Sequence, residues 1–201
     1  LHEALRRHLR DHISQKGSLV SPDKLRFDIS HNKPISGSDL NTIEIEINNK
    51  IRENFIIKTT VMNIQKARKI GALALFGEKY GEEVRVVKMG ENDDQHYSVE
   101  LCGGTHVNRS GDIGVFKILS ESALGSGVRR IEAVAGQAAI AEYQEENRII
   151  NELASELKTS KEALKERVIS VILERKNLEK KIIDLNKKIN TSNNANTESA
   201  N

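Results

Sequence analysis

Cys102-Gly103-Gly104-Thr105-His106 is the segment whose residue types could do chemistry. A thiolate and an imidazole four residues apart reach one zinc ion if the backbone between them turns tightly. The two glycines are expected to permit that turn by adopting positive φ. Val99-Glu100-Leu101 before it reads as strand, which puts the cysteine at a strand end. Two ligands make half a zinc site, and the same spacing also fits a buried Cys and a loop His that never meet. His8 and His12 offer a second half, because i, i+4 spacing puts both imidazoles on one helical face. With Cys102 and His106 they would complete a Cys/His₃ set. Arg7 and Arg10 stand beside these histidines and disfavour a dication, and His near a helix C-terminus also suits the helix dipole.

The elements that must position these groups can be read from periodicity. Leu1, Leu5 and Leu9 recur every four residues with Ala4, His8 and His12 beside them, a helical pattern with no N-cap before it, so the helix is expected to begin upstream of Leu1. Gln15 to Ser18 breaks the pattern and Pro22-Asp23 marks a turn. Lys24 to Ser30 alternates, with Leu25, Phe27 and Ile29 on one face, as a half-buried strand does. Ser36-Gly37-Ser38 offers an N-cap for a helix to about Asn54. Phe55 to Met62 reads as extended, followed by a short helix through Lys66-Ala67-Arg68-Lys69 that stops at Gly71. Ala72 to Phe76 leads into a turn over Gly77 to Gly81. Further strands are expected over 84–89, 97–101, 113–120 and 128–134. Helices mixed with hairpin-spaced strands predict an α+β fold with a mainly antiparallel sheet and packed helices.

The character changes near Gly136. Ile150, Leu157, Leu164, Val171, Leu178 and Leu185 fall at strict seven-residue intervals, and Leu153, Val168, Ile182 and Ile189 supply much of a second row. Ser160, Lys161 and Arg175 interrupt that row. Residues 137–190 therefore read as one long coiled-coil-like helix, with a helix packed along its own domain as the other reading. Residues 191–201 are Asn/Ser/Thr-rich and expected to be disordered. The organisation is thus a domain over 1–136, a helix over 137–190 and a polar tail.

Composition narrows the function classes. The 201 residues carry 31 Lys+Arg and 29 Asp+Glu, a net charge of +2, so no global positive field draws the chain to nucleic acid. Basic residues cluster locally at Arg6-Arg7-His8-Arg10, Lys66-Arg68-Lys69 and Arg129-Arg130; such runs are more often solvated faces than phosphate sites. With 37% hydrophobic and 30% charged residues, a modest core joined to a solvated element is expected. One Cys excludes a disulfide framework and fits a reducing compartment. No apolar run approaches the ~18 residues of a membrane span.

Several segments in order carry a resemblance. They are Leu1-His2-Glu3-Ala4-Leu5-Arg6, Asp11 to Val20, Leu25-Arg26-Phe27-Asp28, Ala72 to Gly81, Cys102 to His106, Gly111-Asp112-Ile113-Gly114 and Gly127 to Ala133. Together they resemble the editing domain of bacterial alanyl-tRNA synthetases, followed by the start of the helical linker toward that family's C-terminal domain. The resemblance implies zinc ligation by Cys102 and His106, with two more ligands on an H-x-x-x-H directly upstream whose second His lies two residues before Leu1. His8 and His12 then fall outside the zinc motif, while His2, on the missing ligand's helical face, lines the pocket. Gln15 matches an editing-pocket residue whose amide recognises a serine hydroxyl; without the resemblance it would read as a surface Gln at a helix end. Arg129 and Arg130, adjacent on a strand and so on opposite faces, are implied to send at least one guanidinium to the tRNA acceptor end. The alternative is a salt bridge with Glu132.

The implied activity is hydrolysis of the ester in Ser-tRNA(Ala) and Gly-tRNA(Ala), with zinc as cofactor, tRNA(Ala) as partner and a cytoplasmic location. Aminoacylation and ATP binding, properties of the full-length family, map outside this chain. A free-standing alanyl-tRNA editing protein shares the domain, although the Gln-Lys-Gly-Ser and Phe-Gly-Glu-Lys-Tyr-Gly segments and the long helix favour the ligase. A non-catalytic coiled-coil dimerisation module is the reading from another class. The apolar helical row predicts a homodimer.

Overall fold

The computed structural model describes residues 1–74, 80–90 and 96–198, with backbone only over 190–198. Two compact units divide the chain, Leu1–Glu142 and Tyr143–Asn201. In the first, the described elements run α1 (His2–Leu9), β1 (Gln15–Val20), β2 (Leu25–Ser30), α2 (Gly37–Arg52), β3 (Ile57–Asn63), α3 (Ile64–Lys69), β4 (Glu83–Met89), β5 (Ser98–Leu101), a 3-10 turn (Ser110–Ile113), β6 (Phe116–Gly125) and β7 (Val128–Ala135), before α4 (Gln137–Glu156) opens. One sheet has the order β1-β2-β7-β6 and the other β3-β4-β5, and every strand pair is antiparallel. The predicted α+β class with a mainly antiparallel sheet is the one found.

The larger sheet is closed on one face by α1 and α2. Ile43, Ile47 and Ile51 recur every four residues along α2 and are buried with Leu5, Phe27, Ile29, Phe116 and Ile131. Ser36 starts α2 as predicted, its hydroxyl accepting from the Asp39 amide at 3.1 Å. Ser36→Ala is expected to cost about 1 kcal/mol, seen as a lower urea midpoint at unchanged slope. Polar groups of α2 also engage the sheet's outer strand. Asn48 donates to the Phe116 carbonyl at 2.8 Å and accepts its amide at 2.9 Å, and Glu44 accepts the Ile118 amide at 2.6 Å. The smaller sheet has its own core of Ala67, Val84, Val86 and Leu101. A Cβ on Gly111 would stand 2.5 Å from the Asn54 amide oxygen, so any larger residue there must displace the Asn54 side chain.

Three sequence expectations need correction. Gln15 to Ser18, read as a break, belong to strand β1, whose partner is β2. The first helix ends at Leu9, with Arg10 at φ 85, so His8 and His12 do not share a helical face. The single long helix expected over 137–190 is two helices, α4 and α5 (Leu164–Glu198). The stop between them is a Schellman closure: Lys158 adopts φ 52, its amide bonds to the Ser155 carbonyl at 3.0 Å, and Thr159 reaches back to Ala154 at 2.9 Å. The Ser160 and Lys161 gap in the apolar row marks this stop. The α5 backbone is helical through Glu198, beyond the boundary drawn at 190; residues 199–201 of the expected tail lie outside the described residues. So does half of the 72–81 segment expected to lead into and form a turn, where 75–79 are not described. Among the described residues, no helix is long and apolar enough to cross a membrane.

Candidate functional site

Strand alternation and register place Arg85, Val87 and Met89 of β4 with Ser98 and Glu100 of β5 on one face of the smaller sheet. Cys102 follows β5 on that face, its amide bonding to the Arg85 carbonyl at 3.2 Å. The loop 102–106 then leaves the sheet, with Gly103, Gly104 and Thr105 exposed and Cys102 and His106 half-buried. Neither Gly103 nor Gly104 has positive φ, so the turn is not made by the left-handed glycines expected from the sequence. The Cys102 thiol is free and the His106 Nε2 is buried without a hydrogen-bond partner. Burial, then the Arg85 cation, hold the His106 imidazole below its ordinary pKa against the opposing pull of Glu100.

A soft thiolate and an unpartnered imidazole nitrogen are the donor types zinc takes, and an orphaned buried nitrogen fits a ligand role. Among the described residues no cluster of three or more His, Cys, Asp or Glu is arranged for a metal. The 102–106 loop therefore supplies two candidate donors. His8 and His12 do not add to them. His8 Nε2 meets Glu46 Oε2 at 2.5 Å, whereas His12 stacks on His31 with Nε2 and Nδ1 2.9 Å apart.

Next to the loop, His2, Ser18, Phe27, Tyr97, Ser98 and Glu100 help line a cavity of about 200 Å³. His2 is 9% exposed, and its Nδ1 stands 3.5 Å from Glu100 Oε2, too far for a hydrogen bond. Burial raises the Glu100 carboxyl, but His2 and the Ser98 hydroxyl, 2.6 Å away, outweigh it and hold the group below its usual range. Neither His2 nor Glu100 was legible as a pair from sequence, although the alternation of β5 places Glu100 and Cys102 on one face. Gln15 is half-buried, and its Nε2 donates to Ser18 Oγ at 2.9 Å, which ties it to this cavity's wall. His106 lines a different, mostly apolar cavity of about 130 Å³ with Leu1, Ile51, Phe55 and Tyr97.

Arg129 and Arg130 point to opposite faces of β7. Arg129 pairs side-on with Glu121 through Nε and Nη2, and Arg130 pairs with Asp28 at 2.7 and 2.8 Å. The carboxylate partners are therefore Glu121 and Asp28 in place of Glu132.

His31 lies at the end of the larger sheet. Burial, then His12, lower its pKa from 6.5, with Arg129 and Lys33 adding to the fall and Glu121 opposing it. The depressed folded value means that the unfolded chain binds the proton first. Stability is expected to be complete above pH 6.5 and to fall as the pH drops through the folded pKa. Thermal melts from pH 7.5 to 5 should show this loss, and His31→Gln should flatten it.

Residues 84–132 match the model of the threonyl and alanyl tRNA synthetase second additional domain. These residues take in nearly all of β4, then β5, the 102–106 loop and most of the β6–β7 hairpin. Over nearly its whole length the chain is similar to alanine–tRNA ligases. It is 53% identical over 192 residues to that of Parvibaculum lavamentivorans, covering 94% of this chain and 22% of the relative. It is 52% identical over 194 residues to that of Granulibacter bethesdensis, covering 95% and 22%. For the enzyme of Pseudoalteromonas translucida the figures are 49% over 189 residues, 94% and 21%. The chain thus resembles alanyl-tRNA synthetases, second additional domain included, and spans about a fifth of the length of the curated relatives it matches.

Proposed function

We propose that this chain is the editing region of an alanine–tRNA ligase and hydrolyses the ester linking serine or glycine to tRNA(Ala). The observation that carries the reading is the 102–106 loop, with a free thiol and a buried, unpartnered His106 Nε2, set inside a synthetase additional domain. The need for such a site follows from binding energy. A pocket for alanine cannot fully reject glycine, nor exclude serine by one hydroxyl, because such differences are worth only ~1–3 kcal/mol.

Cys102 Sγ and His106 Nε2 are the donors the chain offers to zinc, which when bound polarises a water or carbonyl, or holds the terminal adenosine. Gln15, held by Ser18, presents its amide Oε1 to a serine hydroxyl. Water forms the new bond to the carbonyl carbon, the bond to the ribose oxygen breaks, and that oxygen leaves with a proton. Arg129 and Arg130 commit Nε and Nη2 to carboxylates, so a tRNA phosphate is met by Nη1. The reading places the protein in the cytoplasm. It also makes α5 a self-association surface, because Leu178, Ile182 and Leu185 are 58%, 56% and 57% exposed along one row.

The test is deacylation by the chain extended upstream through the implied H-x-x-x-H. Ser-tRNA(Ala) and Gly-tRNA(Ala) should be hydrolysed and Ala-tRNA(Ala) spared. Equal hydrolysis of all three, or of none with the fold intact, would overturn the reading. Sedimentation of the chain and of one cut after Glu142 tests the helix: the first should dimerise with concentration and the second should not.

A further inference from the structure

The sequence suggests that Gly103 and Gly104 shape the 102–106 loop through positive φ, yet neither adopts it. Nothing lies within 4 Å of a Cβ built on Gly103, so no packing contact forces the turn there either. The loop is held from the neighbouring strand. Arg85 grips it twice: its backbone carbonyl accepts the Cys102 amide at 3.2 Å, and its Nη1 donates to the Cys102 carbonyl at 2.9 Å. The same Nη1 donates to the Gly104 carbonyl. The two hydrogens of one guanidinium nitrogen thus bridge carbonyls on either side of Gly103.

We propose that Arg85 is the positioning residue of this loop, fixing the direction in which Cys102 Sγ and His106 present themselves to a metal ion. The proposal rests on reading 102–106 as a metal loop. Its logic is electrostatically costly, since a guanidinium beside a dication site repels the dication. A cation kept there despite that repulsion implies a compensating geometric role, and the two carbonyl bonds supply it. The two N–H bonds of the planar Nη1 also point in fixed directions, which the rotating ammonium of lysine does not reproduce.

The two roles give opposite signs. If Arg85 only repels, Arg85→Met raises metal affinity. If it positions, affinity falls although the repulsion is gone. The experiment uses the chain itself, in which Cys102 is the only cysteine, so a cobalt–thiolate absorption band reports that residue alone. Co²⁺ titrations of wild type, Arg85→Met and Arg85→Lys should show about tenfold weaker binding in both variants. In the metal-free chain, the heteronuclear NOE of the Gly103 and Gly104 amides should be high in wild type and fall in both variants. Amides of β2 and β7 in the other sheet should not change, which separates loop release from unfolding. Arg85→Lys keeps the charge and serves if Arg85→Met does not fold. Unchanged NOEs in a folded variant, or tighter Co²⁺ in Arg85→Met, would overturn the proposal. If wild type takes up no Co²⁺ while the NOEs fall as expected, the loop-positioning role stands and the metal reading fails.

Discussion

Cys102→Ala is expected to remove most of the zinc bound by this chain once it is extended upstream through the H-x-x-x-H that the family resemblance implies. The 102–106 loop of the unextended chain supplies a free thiol and one orphaned imidazole nitrogen. Two protein ligands fall short of the three or four that hold zinc firmly, so the chain alone should bind it weakly. Extension should restore near-stoichiometric metal, and removal of the thiolate should undo that gain. His8→Ala is the control, because His8 is engaged by Glu46 and joins no metal-type cluster among the described residues. Metal content by elemental analysis after dialysis decides the matter. Tight zinc in the unextended chain, lost in His8→Ala, would show that the wrong histidines had been assigned.

The largest stability effect should come from Ile131→Ala. Ile131 is fully buried in β7, a central strand, where it lies opposite Phe27 and Glu121 in the ladder. Strands on both sides hold the backbone in place, so the space left by three carbons cannot collapse. Loss of about 3–4 kcal/mol is expected, in the range for isoleucine truncation in a rigid core. Leu185→Ala on α5, where the side chain is 57% exposed, should change the stability of the first unit by nothing measurable. It should instead weaken self-association. Urea denaturation of the two variants, with sedimentation alongside, separates a core residue from an interface residue.

The contrast also shows what a sequence can reveal. Ser36, the i, i+4 isoleucines of α2 and the alternation of Leu25, Phe27 and Ile29 are local signals, and local physics set those elements. Strand β1 carries no such signal. Gln-Lys-Gly-Ser is polar and turn-like, and only the ladder to β2 makes it extended. The stop at Lys158 was visible only as a gap in an apolar row, because a lysine in the left-handed region has no compositional mark. In the site, Cys102 and His106 announce themselves by type and spacing. Glu100 could have been found from strand alternation. Arg85 could not, since it comes beside the loop only when β4 and β5 pair, and an arginine in a strand says nothing about carbonyls across it.

The irregular pairing of the outer strands bears on solubility during synthesis. A sheet ending in straight, open backbone is a template for growth by foreign strands. In the larger sheet, β6 slips register between Ile118 and Ser120 and again between Ala123 and Gly125, and α2 occupies its first residues with an amide and a carboxylate. At the other margin, β1 slips between Gln15 and Gly17. Each slip turns the strand and puts a would-be fifth strand out of step. In the larger sheet, what remains open for polymerisation is the short stretch from Ser18 to Val20, where Val20 is 75% exposed. A charged residue placed at Val20 should therefore slow aggregation of the chain on heating while leaving its folding equilibrium nearly untouched.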